Sequence, residues 1–292
     1  MQRLPTRPDD GPDAVLDRIA QGIQRLLGRA PSSVAGIGIG CPGHVDPAKG
    51  IVRDTANLRW AEVALLTGVR QRLASDLPIW IANDANVAAL GEMHFGTGRG
   101  YRDFIYVGIG TGLGGAAVID GELLLGANAY AMEIGHMTLV PNGRSCHCGL
   151  RGCTEMYISG VGLLAGVREH ASGYPASLLA AKPECATSAI LEAARAGDDL
   201  ALVVIDEAVA WLSTVLTICA TVLNPALIII GGGLGRAAPE IFIHGMREQI
   251  GRRTLPATHH LIDVRESHLN NSALGPACLV WHELGRLKEQ MT

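Results

Sequence analysis

No basic block or arginine-rich arm occurs in these 292 residues, whose formal net charge is −4 and whose pI is about 6.2. That balance argues against a nucleic-acid surface. The opening, Met1-Gln-Arg-Leu-Pro-Thr-Arg-Pro8, lacks the apolar core of a signal peptide. The most membrane-like run, Ala208 to Leu223, is shorter than a span requires and stops at Asn224-Pro225, so it reads as a buried helix. Low-complexity tracts and long linkers are missing too. Aromatic residues are few, at 4%. What is plentiful is glycine, 37 residues clustered in loops where backbone must approach a ligand, and hydrophobic residues, 48%, enough for a large core. Four scattered cysteines (Cys41, Cys185, Cys219, Cys278) fit a reducing, cytoplasmic setting.

Periodicity gives alternating helices and strands, hence an α/β fold. Helices are expected at Asp13–Leu27, Val63–Leu73, Ala85–Phe95, Asp198–Leu223, Pro239–Gln249 and Gly275–Lys288. Strands are expected at Val34–Gly40, Ile51–Val52, Ile79–Ala82, Phe104–Ile109, Ala226–Ile230 and His260–Glu266, with Asn57–Trp60 opening a loop. Ala116–Ile119 and Glu122–Leu125 flank Asp120-Gly121 as a hairpin. A boundary near Arg99-Gly100 would separate a small lobe, 1–100, completed by a C-terminal helix at 275–292, from a larger lobe, 101–274, which carries a cysteine-rich segment at 133–155.

That segment is the most informative stretch. It contains Glu133-Ile-Gly-His136 and then Cys146-His-Cys148-Gly-Leu-Arg-Gly-Cys153-Thr-Glu155. Three thiolates and one imidazole make a complete tetrahedral set for structural Zn²⁺, with His136, Cys146, Cys148 and Cys153 as ligands. Gly149 and Gly152 let the loop turn tightly enough to bring the sulfurs together. A disulfide fits poorly, because Cys146 and Cys148 are too close to pair and a trio leaves one thiol over. Glu133 and Glu155 bracket the ligands, so a bound ion would pin two carboxylates near each other.

Gly108-Ile-Gly110-Thr-Gly112-Leu-Gly114 superficially matches a dinucleotide fingerprint, but it leads into a strand and not a helix. It reads as a hairpin turn whose amides and Thr111 hydroxyl suit a polyphosphate, or as a tight turn without a ligand. Asp84 follows an apolar strand, where open α/β sheets bind ligands. It could act as a general base or cap the next helix. Gly231-Gly-Gly233 permits close approach of a ring or sugar, or dense packing. The other nine histidines form no second metal pattern, and His147 is simply carried by the cysteine loop.

Together, Gly36-Ile-Gly-Ile-Gly-Cys-Pro-Gly43, Asn83-Asp84-Ala-Asn86, Gly110-Thr-Gly112, Glu133-Ile-Gly-His136, the Cys146–Glu155 segment and Asn224-Pro with Gly231–Gly233 resemble the ROK family of bacterial sugar kinases and sugar-responsive repressors. The resemblance covers nearly the whole chain. It implies an actin-like (ribonuclease H-like), two-lobed sugar kinase fold, a homodimer, and ATP-dependent phosphorylation of a glucose-like hexose or N-acetylhexosamine, with Mg²⁺ accompanying ATP. It further implies that Asp84 is the base and that Asn57, Asn83, Glu133, His136 and Glu155 hold the sugar. Gly110, Thr111 and Gly112 would hold the ATP phosphates, and Gly232 and Gly233 would lie near the adenosine.

Two departures stand out. The family's opening Asp-x-Gly-Gly-Thr phosphate loop has no counterpart, since the chain starts at what resembles the strand after it, Gln2–Thr6. This implies impaired phosphoryl transfer in the chain as given, and admits a late-annotated start or a non-catalytic sugar sensor or repressor core. Secondly, Ala129 and Met132 stand where glycine is usual, which implies an altered sugar pocket or lid.

Overall fold

The Ile-Gly-Ile-Gly run at 37–40 and its neighbours make a strand because alternate β-branched residues favour extension while the glycines admit close neighbours. In the computed structural model this strand is β1 (Ile37–Cys41). The structure describes residues 3–30, 33–55, 57–182, 184–254, 261–269 and 271–290. The chain forms two units: Met1–Arg99 with Leu125–Ala131 and Leu269–Thr292, and Gly100–Leu124 with Met132–His268. Leu125–Ala131 therefore groups with the first unit, whereas the sequence suggested an unbroken second lobe over 101–274.

The first unit contains α1 (Pro12–Leu27), β1, β2 (His44–Asp46), β3 (Ile51–Thr55), β4 (Trp60–Val63), α2 (Leu65–Arg72), β5 (Ile79–Asn83) and α3 (Asp84–Phe95), with a C-terminal helix at Leu274–Gln290. β1 and β5 pair in parallel, placing Cys41 opposite Asn83, and β2, β3 and β4 form an antiparallel meander. Val15, Leu16, Ile37, Val52, Leu65, Val69, Ile79 and Ile81 share one core. The C-terminal helix packs on α3 and β1. Its close approach explains Gly38 and Gly275: a side chain at the first would strike the Pro276 carbonyl, and one at the second the Val87 carbonyl. β4 takes in Trp60, expected in a loop, and Val63, expected to start a helix that instead begins at Leu65. The strand's inward residues, Trp60 and Val63, are three apart with two exposed residues between them, so no alternation marks it. Residues 3–7 form no strand, and Gln2 lies outside the described residues.

The second unit contains β6 (Phe104–Ile109), β7 (Leu113–Ile119), β8 (Glu122–Leu123), α4 (Glu155–Ile158), α5 (Gly160–His170), α6 (Thr187–Arg195), α7 (Asp199–Leu223), β9 (Leu227–Gly231), α8 (Gly232–Ala237), α9 (Pro239–Phe242), α10 (His244–Arg253) and β10 (Asp263–Glu266). Its sheet runs β10-β9-β6-β7-β8, parallel across the first three strands and antiparallel beyond. β9 is buried along its whole length, as its unbroken apolar run requires. The 25 residues of α7 are long and apolar enough to cross a membrane by length and composition. Leu200, Val204, Leu212, Val215 and Leu216 are instead buried in the unit's core. Asp198 caps this helix by accepting from Ala201 N at 3.0 Å, and left-handed Asn224 ends it. The helix expected over Pro239–Gln249 is broken at Ile243 into α9 and α10. The strand expected from His260 starts at Asp263, His260 itself lying outside the described residues.

Candidate active site and metal centre

In the first unit, the junction of β5 and α3 presents Asn83 and Asp84 together. Asn83 is the helix cap: its Oδ1 accepts from Ala85 N at 2.8 Å, and its Nδ2 donates to Gly43 O at 3.1 Å. The capping role open to Asp84 thus falls mainly to its neighbour, although Asp84 Oδ1 also accepts from Ala85 N at 2.9 Å. Solvent reaches Asp84, yet the protein packed around it desolvates the carboxylate and raises its pKa above the ordinary value. Backbone hydrogen bonds from Ala85 and from its own amide oppose that shift. Cys41, its thiol pushed up to about 12 by burial and then by the charge of Asp84, is an inert neighbour. Asn57 is exposed and lines a cavity of about 390 Å³ with Thr6, Ile39, Cys41 and Trp60.

The second unit gathers the cysteine segment. Donor atoms of His136, Cys146, Cys148 and Cys153 all lie within 4.8 Å of one another. Cys148 Sγ is 3.6 Å from Cys153 Sγ, and Cys146 Sγ is 3.8 Å from His136 Nδ1. Sulfurs about 2.3 Å from a tetrahedral zinc ion stand roughly 3.8 Å apart, so the residues present fit that ion. Antiparallel bridges from Thr138 to Cys153 and from Ser145 to Arg151 close the loop. Gly149 and Gly152 turn it with φ of 89° and 76°, and a side chain at Gly152 would strike the Val140 carbonyl. Burial pushes the Cys153 thiol up to about 12, with Cys146 also raised, so without metal both hold their protons at neutral pH.

Glu133 and His136 flank the buried pair Ile134-Gly135 in a short 3-10 turn, with Gly135 against the Leu113 carbonyl. Glu155 opens α4 and is 6% exposed. Its Oε2 accepts from Leu113 N at 2.9 Å, and Oε1 lies 3.2 Å from His147 Nδ1. The carboxylate therefore rests against the 110–112 turn, where a side chain at Gly112 would strike it.

That turn joins β6 and β7 as a hairpin. Gly110 N donates to Gly112 O, and the carbonyls of Gly110 and Thr111 accept from Gly160 N and Val161 N of α5. Two of the amides expected for phosphate, those of Gly110 and Leu113, are consequently used inside the unit. Thr111 stays exposed. The Gly232-Gly233 turn comes alongside: a Cβ on Gly110 would stand 4.0 Å from Gly233 N, while Gly232, at φ 79°, presses on the Ile109 carbonyl.

Within each unit, the expected residues thus fall into local groups: Asn83 with Asp84, the metal set with Glu133 and Glu155, and the two glycine turns. Two residues escaped the sequence reading. His147 reaches Glu155, and Arg144 bonds Glu169 (2.8 Å), Glu207 (3.0 Å) and Met156 O (2.9 Å) while covering the Tyr157 ring at 4.4 Å. Neither has a spacing signal, because their partners are distant in sequence.

The chain matches the ROK family over residues 1–283. It is 35% identical over 287 residues to a glucokinase of Thermotoga maritima, covering 96% of this chain and 89% of that protein. A xylose repressor of Caldicellulosiruptor bescii is 32% identical, covering 91% of this chain and 66% of the repressor. Among solved structures, a ROK family glucokinase from Streptomyces griseus in complex with glucose and AMPPNP matches with a TM-score of 0.79 at 31% identity, covering 94% of this chain and 88% of that one.

Proposed function

This chain belongs to the ROK family, with its actin-like α/β fold, and from that premise we propose that it is a cytoplasmic, ATP-dependent hexose kinase acting as a homodimer. Asp84 carries the reading. A carboxylate at the end of a parallel strand, its pKa raised by desolvation, is suited to take the proton of a sugar hydroxyl. The hydroxyl oxygen then attacks the γ-phosphorus, the bond to ADP breaks, and the proton stays on Asp84. Mg²⁺ bound with ATP supplies neutralisation of the phosphoryl charge.

Asn57, Asn83, Glu133, His136 and Glu155 hold the sugar hydroxyls in this reading. Asn83 has one amide proton to offer, the other being committed to Gly43. The exposed Thr111 and the adjoining glycine turns at 110–112 and 232–233 take the nucleotide. Zn²⁺ held by His136, Cys146, Cys148 and Cys153 supplies rigidity to the loop that ends in Glu155. Similarity to kinases that share the fold and most of the chain supports the assignment.

The likeness to a xylose repressor favours a second reading, a sugar sensor without turnover. Calorimetry with glucose and N-acetylmannosamine, beside a coupled ADP-release assay, separates the two. A kinase binds hexose and releases ADP in an Asp84-dependent way. Hexose binding with no ADP release, from the unmodified chain and also from a form supplied with an Asp-x-Gly-Gly-Thr segment ahead of it, would leave the sensor.

A further inference from the structure

Glu155 is almost fully buried, and its two oxygens face different elements. Oε2 accepts from Leu113 N in the 110–112 hairpin, and Oε1 meets His147 Nδ1 at 3.2 Å. Each carboxylate oxygen has two acceptor sites, so both retain capacity for a sugar hydroxyl. His147 sits between Cys146 and Cys148, and the same loop closes on Cys153, two residues before Glu155. The metal loop therefore grips this carboxylate twice, through the backbone from Cys153 and through the His147 ring. His147 is packed edge-on against His136, with ring centroids 5.5 Å apart, which restrains its orientation. His147 is outside the four-donor set, although with Cys146 and Glu155 it makes a second group whose donor atoms lie within 4.8 Å of one another, so zinc content has to be read alongside affinity. A carboxylate with one oxygen fixed by a backbone amide can still rotate about its last torsion, whose wells are broad. The second contact is what stops it.

We propose that His147 is a positioning residue for sugar recognition, holding Glu155 at the angle at which its free lone pairs accept hexose hydroxyls. The inference rests on the hexose reading of Glu155 given above. It makes the metal loop a determinant of sugar affinity as well as of folding.

A double-mutant cycle on the full chain tests it, with His147→Ala, Glu155→Gln and the pair, read by calorimetric affinity for glucose and N-acetylmannosamine, zinc content and thermal midpoint. His147→Ala should keep its zinc and midpoint yet weaken hexose binding about tenfold, the worth of one charge-assisted hydrogen bond. His147→Asn should restore most of that loss, because its amide nitrogen can stand in for Nδ1. The pair should be little worse than Glu155→Gln alone, showing that both act through one carboxylate. Unchanged affinity in His147→Ala would overturn the proposal, as would independent, multiplying losses. Loss of zinc from His147→Ala would also overturn it, since the residue would then be serving the metal. Failure of the unmodified chain to bind any hexose is a separate result, which defeats the hexose reading itself and this inference with it.

Discussion

Ala129 and Met132 adopt φ of 61° and 66°, the left-handed region in which a Cβ crowds the following carbonyl at a cost of about 1–2 kcal/mol. Glycine at 129 removes that crowding but gives the unfolded chain extra freedom worth about 0.4–1 kcal/mol. Ala129 is half-buried, so losing its methyl gives up a few tenths of a kcal/mol of packing. Ala129→Gly should therefore stabilise the protein by about 0.5 kcal/mol, what remains of the relieved crowding after both costs. Met132 carries the same strain, but its side chain packs partly buried against the second unit's core. Removing it gives up about 1–1.5 kcal/mol of apolar burial, so Met132→Gly should be neutral or destabilising. Urea unfolding is the assay, with the midpoint moving and the slope unchanged. Ala127→Gly, at an exposed neighbouring position without a positive φ, is the control and should destabilise. If Ala129→Gly and Ala127→Gly shift the midpoint in the same direction, the strain argument is refuted.

Protein purified without chelator should contain about one zinc per chain, and Cys148→Ser should lose it along with much of the stability, since structural zinc contributes roughly 10 kcal/mol or more. Metal analysis checks this, and titrations should show affinity falling as pH falls, because the raised thiols of Cys146 and Cys153 must release protons to bind. In a form supplied with an Asp-x-Gly-Gly-Thr segment that phosphorylates hexose, Asp84→Asn should keep hexose binding while lowering kcat about 10²–10⁴-fold, the usual worth of a general base. Because the folded state raises the pKa of Asp84, its ionisation opposes folding. The Asn variant should accordingly be more stable than the parent at pH 7, with the gain vanishing below the ordinary carboxylate range, as denaturation at several pH values would reveal. Arg144→Met should cost about 2–3 kcal/mol, less than a fully buried pair, because Glu169 is half in solvent; equilibrium unfolding measures it.

How much was legible depended on whether a feature was local. β6 at Phe104–Ile109 and the turn after it were readable because a β-branched run meets a glycine cluster, and the antiparallel return on β7 distinguishes it from a dinucleotide loop. The metal set was readable because its ligands come from one short segment with glycines at the bends. Position alone left Asp84 ambiguous between base and cap. In the fold the Ala85 amide is shared by Asn83 and Asp84, a matter of side-chain direction that spacing does not carry. His147 and Arg144 were invisible because their partners lie 8 to 63 residues away and meet them only in the folded unit. The break at Ile243 was equally hidden, since an apolar period continues through it.

The helix at Leu274–Gln290 shelters β1 and α3, yet it is synthesised long after them. Residues 12–95 leave the ribosome long before it, and at 5–20 residues per second the wait is about 10–40 s. Throughout that interval the groove beside Gly38 and the Val87 carbonyl lacks its lining, and by its end β10 has been made, so the second unit can close its sheet first. Nascent chains stalled before residue 274 should therefore contain a protected second unit beside a first unit that proteases still cut. Any delay in the release of residues 274–290 would lengthen that exposure and favour aggregation without altering a single contact of the finished protein.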